Sequence, residues 1–146
     1  MAEEPLPDWP PGTVTILATA GPEPYAIPIS TAVRAGADRV LLALGAERGS
    51  LSRLRERERV ALTILAGGDV ACTAHGVARV VADPLEGLDG VVGVAIDVER
   101  VQSHRRPTFA IDAAVGWHWT HDAARERDAC VRAALAVLAR SDTPRV

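Results

Sequence analysis

A short basic segment, Arg48–Arg57, contains the side chains best suited to bind an anion. Leu51 and Leu54 are three residues apart, which gives one face of a short helix an apolar contact and leaves the arginines exposed. We predict that Ser50 is the N-cap of this helix, so that the first turn presents unpaired N–H groups and the positive end of the helix dipole. A helix start with free N–H groups, hydroxyls and arginines predicts a phosphate-type anion site. The alternative interpretation is a solvated connector whose charges face water.

The chain contains no lysine, and all 16 of its basic residues are arginine. Any anion held by a side-chain cation is therefore held by arginine. The formal net charge of −3 gives no argument for binding to nucleic acid or to an acidic membrane surface. The sequence has no Walker loop, no dinucleotide-binding GxGxxG, no HExxH and no GxSxG. We identify no catalytic side chain from the sequence.

The histidines and cysteines do not form a recognisable metal site. Cys72 and His75 are three apart in a predicted strand, so their side chains should point to opposite faces. His118 and His121 have no acidic or cysteine partner fixed by their spacing, and we predict no bound metal. Trp117-His-Trp119 would place both indoles on one face of a strand. That face is either core or dimer interface, or a stacking surface for a ligand ring.

These residues must be positioned by a mainly β fold. Apolar alternation and short apolar runs predict strands that are separated by glycine-rich and proline-rich turns. Pro28 cannot donate a ladder hydrogen bond, so its strand should have an edge or a bulge there, and Gly76 predicts a bend or a close backbone approach. The predicted strands are Thr13–Ala20, Tyr25–Val33, Val40–Leu44, Val60–Leu65, Val70–Asp83, Val91–His104, and one or two short strands over Phe109–Ile111 and Gly116–Thr120.

Asp122–Arg140 is the one long helix that the sequence predicts. Asp122 is expected to cap it, and Asp128 can pair with Arg132 at i,i+4. Its apolar side is formed by Cys130, Val131, Ala134, Leu135, Val137 and Leu138. The order of elements predicts a curved antiparallel sheet or barrel with the helices packed outside it.

The chain of 146 residues is expected to form one domain, residues 13–146, preceded by an extended arm, residues 1–12. Four prolines favour an extended conformation in the arm, and Trp9 should attach it to the body of the protein. The N-terminal residues lack the pattern of a signal peptide, and no apolar run approaches membrane length. We therefore expect a cytoplasmic protein that does not enter a membrane.

Four segments together resemble the FMN-binding split β-barrel proteins related to pyridoxamine 5'-phosphate oxidase. They cover about the first two-thirds of the chain in the order and spacing of that family. The matching segments are Leu17–Pro24, Ala26–Ile29, Leu51–Leu62 and Ala74–Val81. The resemblance implies a split β-barrel of six to seven antiparallel strands, with a short helix after the third strand and a C-terminal helix. It also implies a homodimer with two flavin sites at the subunit interface.

The resemblance further implies where the cofactor would lie. The isoalloxazine edge would run along the second strand, and the phosphate would lie at the basic segment. On the stacking interpretation, the two indoles join the predicted contacts. The predicted cofactor-binding residues are thus Ile27, Pro28, Ile29, Ser30, Thr31, Arg48, Ser50, Ser52, Arg53, Trp117 and Trp119. This chain has Ser50 where family members that hold FMN tightly usually carry Lys or Arg, and it lacks their hydroxyl residue near Gly45.

Two functions follow from these expectations. The first is an oxidoreductase that binds FMN or a deazaflavin and acts on a small molecule, in which the cofactor performs the hydride chemistry. The second is a non-catalytic dimeric binding protein on the same barrel, in which cofactor binding is weak or lost. The substrate cannot be read from the sequence.

Overall fold

A computed structural model describes residues 4–141 of the chain. In chain order, the strands and helices are β1 (Thr15–Thr19), β2 (Tyr25–Ile29), β3 (Val33–Arg34), β4 (Arg39–Gly45), α1 (Gly49–Glu56), β5 (Arg59–Ala66), β6 (Val70–Ala82), β7 (Val91–Ser103) and α2 (Asp122–Ser141). The seven strands form one antiparallel sheet in the order β2-β1-β5-β6-β7-β4-β3. The predicted mainly β fold class is therefore confirmed, with seven strands, one short helix and a C-terminal helix.

The sheet curls around a single large apolar core. Alternate residues of the strands point into it, as Leu62 and Ile64 of β5 and Val94 and Ile96 of β7 do, all of them fully or almost fully buried. Period-two burial of this kind is what lets a sheet present one apolar face to its own interior. The two terminal strands of the sheet, β2 and β3, are consecutive in the sequence, so the curled sheet is a barrel split between them.

The split lies at residues 30–32, where we had predicted one continuous strand, Tyr25–Val33. That prediction is wrong in its continuity: β2 ends at Ile29 and β3 begins at Val33. The Thr31 hydroxyl takes the place of ladder bonds here, because Oγ1 accepts the Ala43 N–H at 3.0 Å and donates to the Ala43 carbonyl at 3.3 Å. Because the predicted second strand forms two strands, β2 and β3, helix α1 follows the fourth strand rather than the third. The prediction that Pro28 marks an edge is confirmed, since β2 ends the sheet.

Gly76 confirms the predicted close approach between backbones. The register of β6 against β7 shifts between His75 and Gly76. A Cβ atom at Gly76 would lie 2.1 Å from the carbonyl oxygen of Asp97 on β7. The close approach at Gly76 therefore coincides with a β-bulge between the two longest strands of the sheet.

Helix α2 covers a second, smaller core on the outside of the barrel. Val131 and Leu135 are buried there against Leu41, Leu85 and Ala95. The Asp128–Arg132 pair is present, with 2.8 Å between the carboxylate oxygen and Nε. Asp122 is not the cap: it lies in the first turn and pairs with Arg125, while the His121 carbonyl accepts the first helical N–H bond, from Arg125. Cys130 and Val137, which we assigned to the apolar side, are exposed.

Between β7 and α2 the chain forms an extended surface segment, residues 104–120. The strands predicted over Phe109–Ile111 and Gly116–Thr120 do not form. The hairpin between β5 and β6 holds the segment instead. Asp69 has a positive φ of 60°, donates its N–H to the Ile111 carbonyl and accepts the Ile111 N–H on its carboxylate at 2.9 Å. Within the described part of the chain no strand pairs with this segment, so the alternation in its sequence does not produce a strand.

Residues 4–12, the described part of the predicted arm, contain no helix or strand. Trp9 is buried as expected and donates its Nε1–H to the Ala32 carbonyl at 2.8 Å, and Leu6 is buried as well. Residues 1–3 of the predicted arm and 142–146 of the predicted domain lie outside the described residues. Neither helix in the described range has the length and apolar character needed to cross a lipid bilayer.

Candidate functional site

The N-terminus of α1 is a helix start without a cap. Arg48 occupies the N-cap position and makes no side-chain cap hydrogen bond, and no acidic residue lies in the first turn. Ser50 is therefore not the N-cap that we predicted, because the observed N-cap, Arg48, lies two residues earlier and the helix begins at Gly49. Ser50 is instead fully buried, and its hydroxyl oxygen has no hydrogen-bond partner. The Leu51 N–H donates to the Arg48 carbonyl, whereas the N–H groups of Gly49 and Ser50 and the Ser50 hydroxyl have no protein acceptor among the described residues.

Arg53 lies one turn further along α1 and is held against the turn between β1 and β2. Its guanidinium stacks 4.4 Å from the centre of the Tyr25 ring. Nη1 donates to the Glu23 carbonyl at 3.3 Å, and the Glu23 carboxylate lies 3.8 Å from Nη2. The guanidinium also fills the space beside Gly21, where a Cβ atom would collide with it. This cation is thus positioned by the fold, although part of its charge is already compensated.

Tyr25 and Thr19 are two residues of this region that the sequence did not indicate. A Cβ atom at Gly49 would lie 3.6 Å from the Tyr25 hydroxyl, so that hydroxyl is beside the helix start. Thr19 pairs with Tyr25 across the sheet and has a buried hydroxyl without a partner. The single tyrosine of the chain, directly after a Gly-Pro turn, was the signal that could have identified this position.

The other predicted phosphate ligands are at the surface. Arg48, directly before α1, and Ser52, in its N-terminal half, are both exposed. A cavity of about 530 Å³ borders Arg48 together with Gly45, Glu47 and Gly90. The structure thus brings Ser50 and Arg53 into fixed surroundings and leaves Arg48 and Ser52 free to meet a ligand from outside.

Strand β2, the predicted position of the flavin ring, presents a mixed edge. Ile27 and Ile29 bury their side chains in the barrel core, so only their backbone could meet a ligand. Pro28 is exposed on the opposite face. The Ser30 carbonyl accepts a hydrogen bond from Arg132 at 3.0 Å, and the Thr31 hydroxyl is engaged with Ala43. Within the described sheet β2 pairs only with β1, which leaves its outer backbone groups available.

Trp117 and Trp119 lie beside the far end of β2. Their rings meet edge to face, with centroids 5.3 Å apart and an interplanar angle of 85°. Trp117 donates its Nε1–H to the Gly12 carbonyl at 2.7 Å, and both rings keep more than a third of their surface exposed. With Arg132, His118 and neighbouring residues they line a surface cavity of about 540 Å³. The two indoles are not on a strand, but they do form one aromatic surface.

No group of three or more metal-ligating side chains occurs among residues 4–141. Burial raises the pKa of the Cys72 thiol to about 11, and the nearby Glu4 charge adds to the shift. A thiol with such a pKa stays protonated near neutral pH and is a poor nucleophile. His75 contacts Gln102, and His104 contacts the Thr73 hydroxyl, so both rings take part in cross-strand hydrogen bonds.

The sequence matches no protein-family model and no curated protein. The fold, however, is similar to that of several solved structures. One is a Listeria innocua protein provisionally assigned as a pyridoxamine 5'-phosphate oxidase, with a TM-score of 0.54 and 17% identity over 64% of this chain and 90% of that one. An F420 reductase has a TM-score of 0.54 at 11% identity, covering 62% of this chain and 90% of its own.

A third similar structure is a FAD-binding protein from Mesorhizobium loti, with a TM-score of 0.50 and 15% identity over 61% of this chain and 83% of that one. Identities this low establish the fold and not the chemistry. The chain has the split β-barrel fold of the pyridoxamine 5'-phosphate oxidase-like and flavin-binding or F420-binding proteins. This is the fold that the sequence resemblance implied.

Proposed function

We propose that the protein binds a flavin-type cofactor, FMN or a deazaflavin, and acts as an oxidoreductase on a small molecule. The observation that carries this proposal is the uncapped start of α1, where the buried Ser50 hydroxyl has no partner. A buried hydroxyl without a hydrogen bond is unfavourable. Once the residues that cover Ser50 move aside, a phosphate oxygen would accept hydrogen bonds from this hydroxyl and from the N–H groups of Gly49 and Ser50.

The donor set suits a phosphate. Backbone N–H groups of the first turn, the hydroxyls of Ser50 and Ser52 and the guanidinium groups of Arg48 and Arg53 would hold it. The ring would lie along the outer edge of β2, at the backbone of residues 27–31. A bound flavin supplies the hydride-transfer chemistry, and the protein contributes binding and orientation. We assign no catalytic acid or base to the residues of this region.

The similar structures support a cofactor of this type without choosing between its members. One of them is a FAD-binding protein and another an F420 reductase, on the same fold. FMN is our first choice because of the sequence resemblance, and a deazaflavin is the second. A cytoplasmic location is part of the proposal, since Cys72 and Cys130 are both free thiols, as is usual in a reducing compartment.

One observation favours a second candidate, a non-catalytic binding protein with weak or lost cofactor binding. Ser50 stands where the resembled family usually has Lys or Arg. Arg53, the best-positioned cation, already contacts Glu23. A phosphate would therefore have to compete with Glu23 for that arginine.

Titration with FMN and with riboflavin, followed by flavin fluorescence, tests the proposal. A phosphate site predicts tighter binding of FMN than of riboflavin, which lacks the phosphate. Arg53→Gln should weaken FMN binding by about tenfold to a hundredfold, the effect of losing one charge-assisted hydrogen bond of about 1.5–3 kcal/mol. Riboflavin binding should not change.

Arg57→Gln is the matched control, because it removes the same charge at the other end of α1. Equal affinity of the wild type for FMN and riboflavin would remove the phosphate site. A protein that is colourless on purification and binds neither flavin nor deazaflavin would support the second candidate instead.

We also propose a homodimer. Apart from the two tryptophans, large apolar side chains are exposed on the segment between β7 and α2 and on the outer faces of β1 and β5; they are Phe109, Val115, Ile16 and Leu65. Apolar surface of this extent is typical of an interface. Light scattering at micromolar concentration should give twice the mass of 15.4 kDa, and a monomer mass would contradict the proposal.

A further inference from the structure

The cavity between the two tryptophans and α2 contains a guanidinium whose hydrogen bonds are incomplete. Arg132 has 22% of its side chain exposed and borders the cavity with Trp117, His118 and Trp119. Its Nε donates to Asp128 at 2.8 Å, and its Nη2 donates to the Ser30 carbonyl at 3.0 Å. Its Nη1 is buried and has no hydrogen-bond partner among residues 4–141.

These contacts fix the direction of the guanidinium. Nε is bonded to Asp128 of α2, and Nη2 is bonded to the Ser30 carbonyl just past β2. The guanidinium therefore cannot rotate to bring Nη1 to another acceptor without breaking these hydrogen bonds. A buried cationic donor without an acceptor is costly, and protein structures rarely leave one without a reason. A ligand oxygen that accepts from Nη1 would complete the hydrogen bonds of this guanidinium.

The aromatic wall of the cavity is also fixed. The Trp117 indole is tied to the Gly12 carbonyl, and Gly12 has a positive φ of 84°, a conformation that a glycine adopts readily. Trp119 stands nearly perpendicular to Trp117. Two rings in this arrangement offer a face and an edge to a third planar ring.

We propose that this cavity binds a planar aromatic molecule carrying a carboxylate or carbonyl oxygen, which accepts a hydrogen bond from Nη1 of Arg132. The cavity stands on its own contacts. The assignment of its ligand as the substrate rests on the proposed function, because the cavity adjoins Ser30, at the end of the strand where the flavin ring would lie. Since Nη1 is covered, the aromatic rim must move when a ligand binds, and indole fluorescence should change.

Isothermal titration calorimetry with three naphthalene probes tests the inference on the full-length protein. 2-Naphthoate carries a carboxylate and 2-naphthamide a neutral carbonyl, whereas 2-naphthyltrimethylammonium has the ring and no oxygen. We expect the naphthoate, the naphthamide or both to bind with a change in tryptophan fluorescence. We expect no binding of the ammonium compound. Which oxygen compound binds more tightly distinguishes a carboxylate ligand from a neutral carbonyl one.

Arg132→Gln should weaken binding of the oxygen-bearing probe by about tenfold or more, as expected for a lost bond to a charged donor. Arg127→Gln is the matched control, because Arg127 is an exposed arginine of the same helix that does not line the cavity. It should change affinity by less than about threefold, since an exposed charge outside the cavity contributes little to binding. Trp119→Leu gives an independent second variant if Arg132→Gln proves unstable.

The inference is overturned if neither oxygen-bearing probe binds, if the ammonium probe binds equally well, or if Arg132→Gln and Trp119→Leu both bind like the wild type. Saturating riboflavin should leave naphthoate binding intact, and competition between them would overturn the assignment to a substrate. Naphthoate binding by a protein that binds no flavin would leave the cavity in place and refute the proposed function alone.

Discussion

The Thr31 hydroxyl should stabilise the barrel at the break between β2 and β3, and replacing this hydroxyl tests that role directly. Thr31→Val keeps the shape of the side chain and removes the oxygen that bonds both polar groups of Ala43. Each such bond contributes about 0.5–1.5 kcal/mol, so the substitution should lower the free energy of unfolding by about 1–3 kcal/mol. With a urea m-value of about 1–3 kcal/mol/M, the unfolding midpoint should fall by about 1 M.

Thr31→Ser is the control, because it keeps the hydroxyl and removes one partly buried methyl group, at a cost below about 0.8 kcal/mol. Urea unfolding followed by tryptophan fluorescence measures all three proteins. A wild-type unfolding midpoint for Thr31→Val would refute the stabilising role of the hydroxyl. An equally lowered midpoint for Thr31→Ser would assign the effect to packing. Flavin titration of folded Thr31→Val also tests the sequence prediction that Thr31 binds the cofactor: unchanged affinity would show that its hydroxyl serves the fold alone.

Two further predictions concern backbone positions. Gly76→Ala should lower the free energy of unfolding, measured in urea, by about 3 kcal/mol or more, because its Cβ atom would lie 2.1 Å from the Asp97 carbonyl oxygen. Gly116→Ala is the control: it has open space around it and should change the free energy of unfolding by less than about 1 kcal/mol. The hydrogen bond from the Ile111 N–H and, next, the Arg105 ion pair lower the pKa of the Asp69 carboxyl. The attachment of Ile111 to the Asp69 carboxylate should therefore be complete above about pH 3.8 and weaken as pH falls through the lowered pKa. Protection of the Ile111 amide from hydrogen exchange, relative to its intrinsic exchange rate at each pH, should decrease over that range in the wild type and not in Asp69→Asn. A wild-type protection that does not change with pH would contradict the reasoning.

The features that the sequence predicts correctly depend on local chemistry. Pro28 cannot donate a ladder hydrogen bond, which predicts an edge or a bulge, and β2 does lie at an edge of the sheet. Glycine has no Cβ atom, so position 76 allows the Asp97 carbonyl to approach closely. The alternation in β5, β6 and β7 gives strand bounds within a residue or two of those observed. The long helix is found for the same reason, because its periodicity and its Asp128–Arg132 pair are contained in its own sequence.

The features that the sequence predicts wrongly depend on partners far along the chain. Residues 109–111 and 116–120 alternate as strands do, but a strand requires a neighbour, and Asp69 and Gly12 provide single contacts in place of a ladder. The break between β2 and β3 depends on Ala43, twelve residues away from Thr31. Ser50 is predicted as a cap because serine is a favourable N-cap residue, whereas the helix that buries Leu51 and Leu54 has its N-cap two residues earlier, at Arg48, and buries Ser50.

The position of β2 explains why the predicted cofactor residues and the Arg132 cavity meet on one strand. Arg53 stacks on Tyr25 at its start, and Arg132 binds the Ser30 carbonyl just past its end, about 17 Å away along an extended chain. Between them the outer edge of β2 has no strand partner in the described sheet. An unpaired edge with a fixed cation at either end can receive two separate groups, a phosphate at one and an acceptor oxygen at the other. The loss of one of these contacts by substitution should therefore leave the other intact, because sites this far apart share no partners.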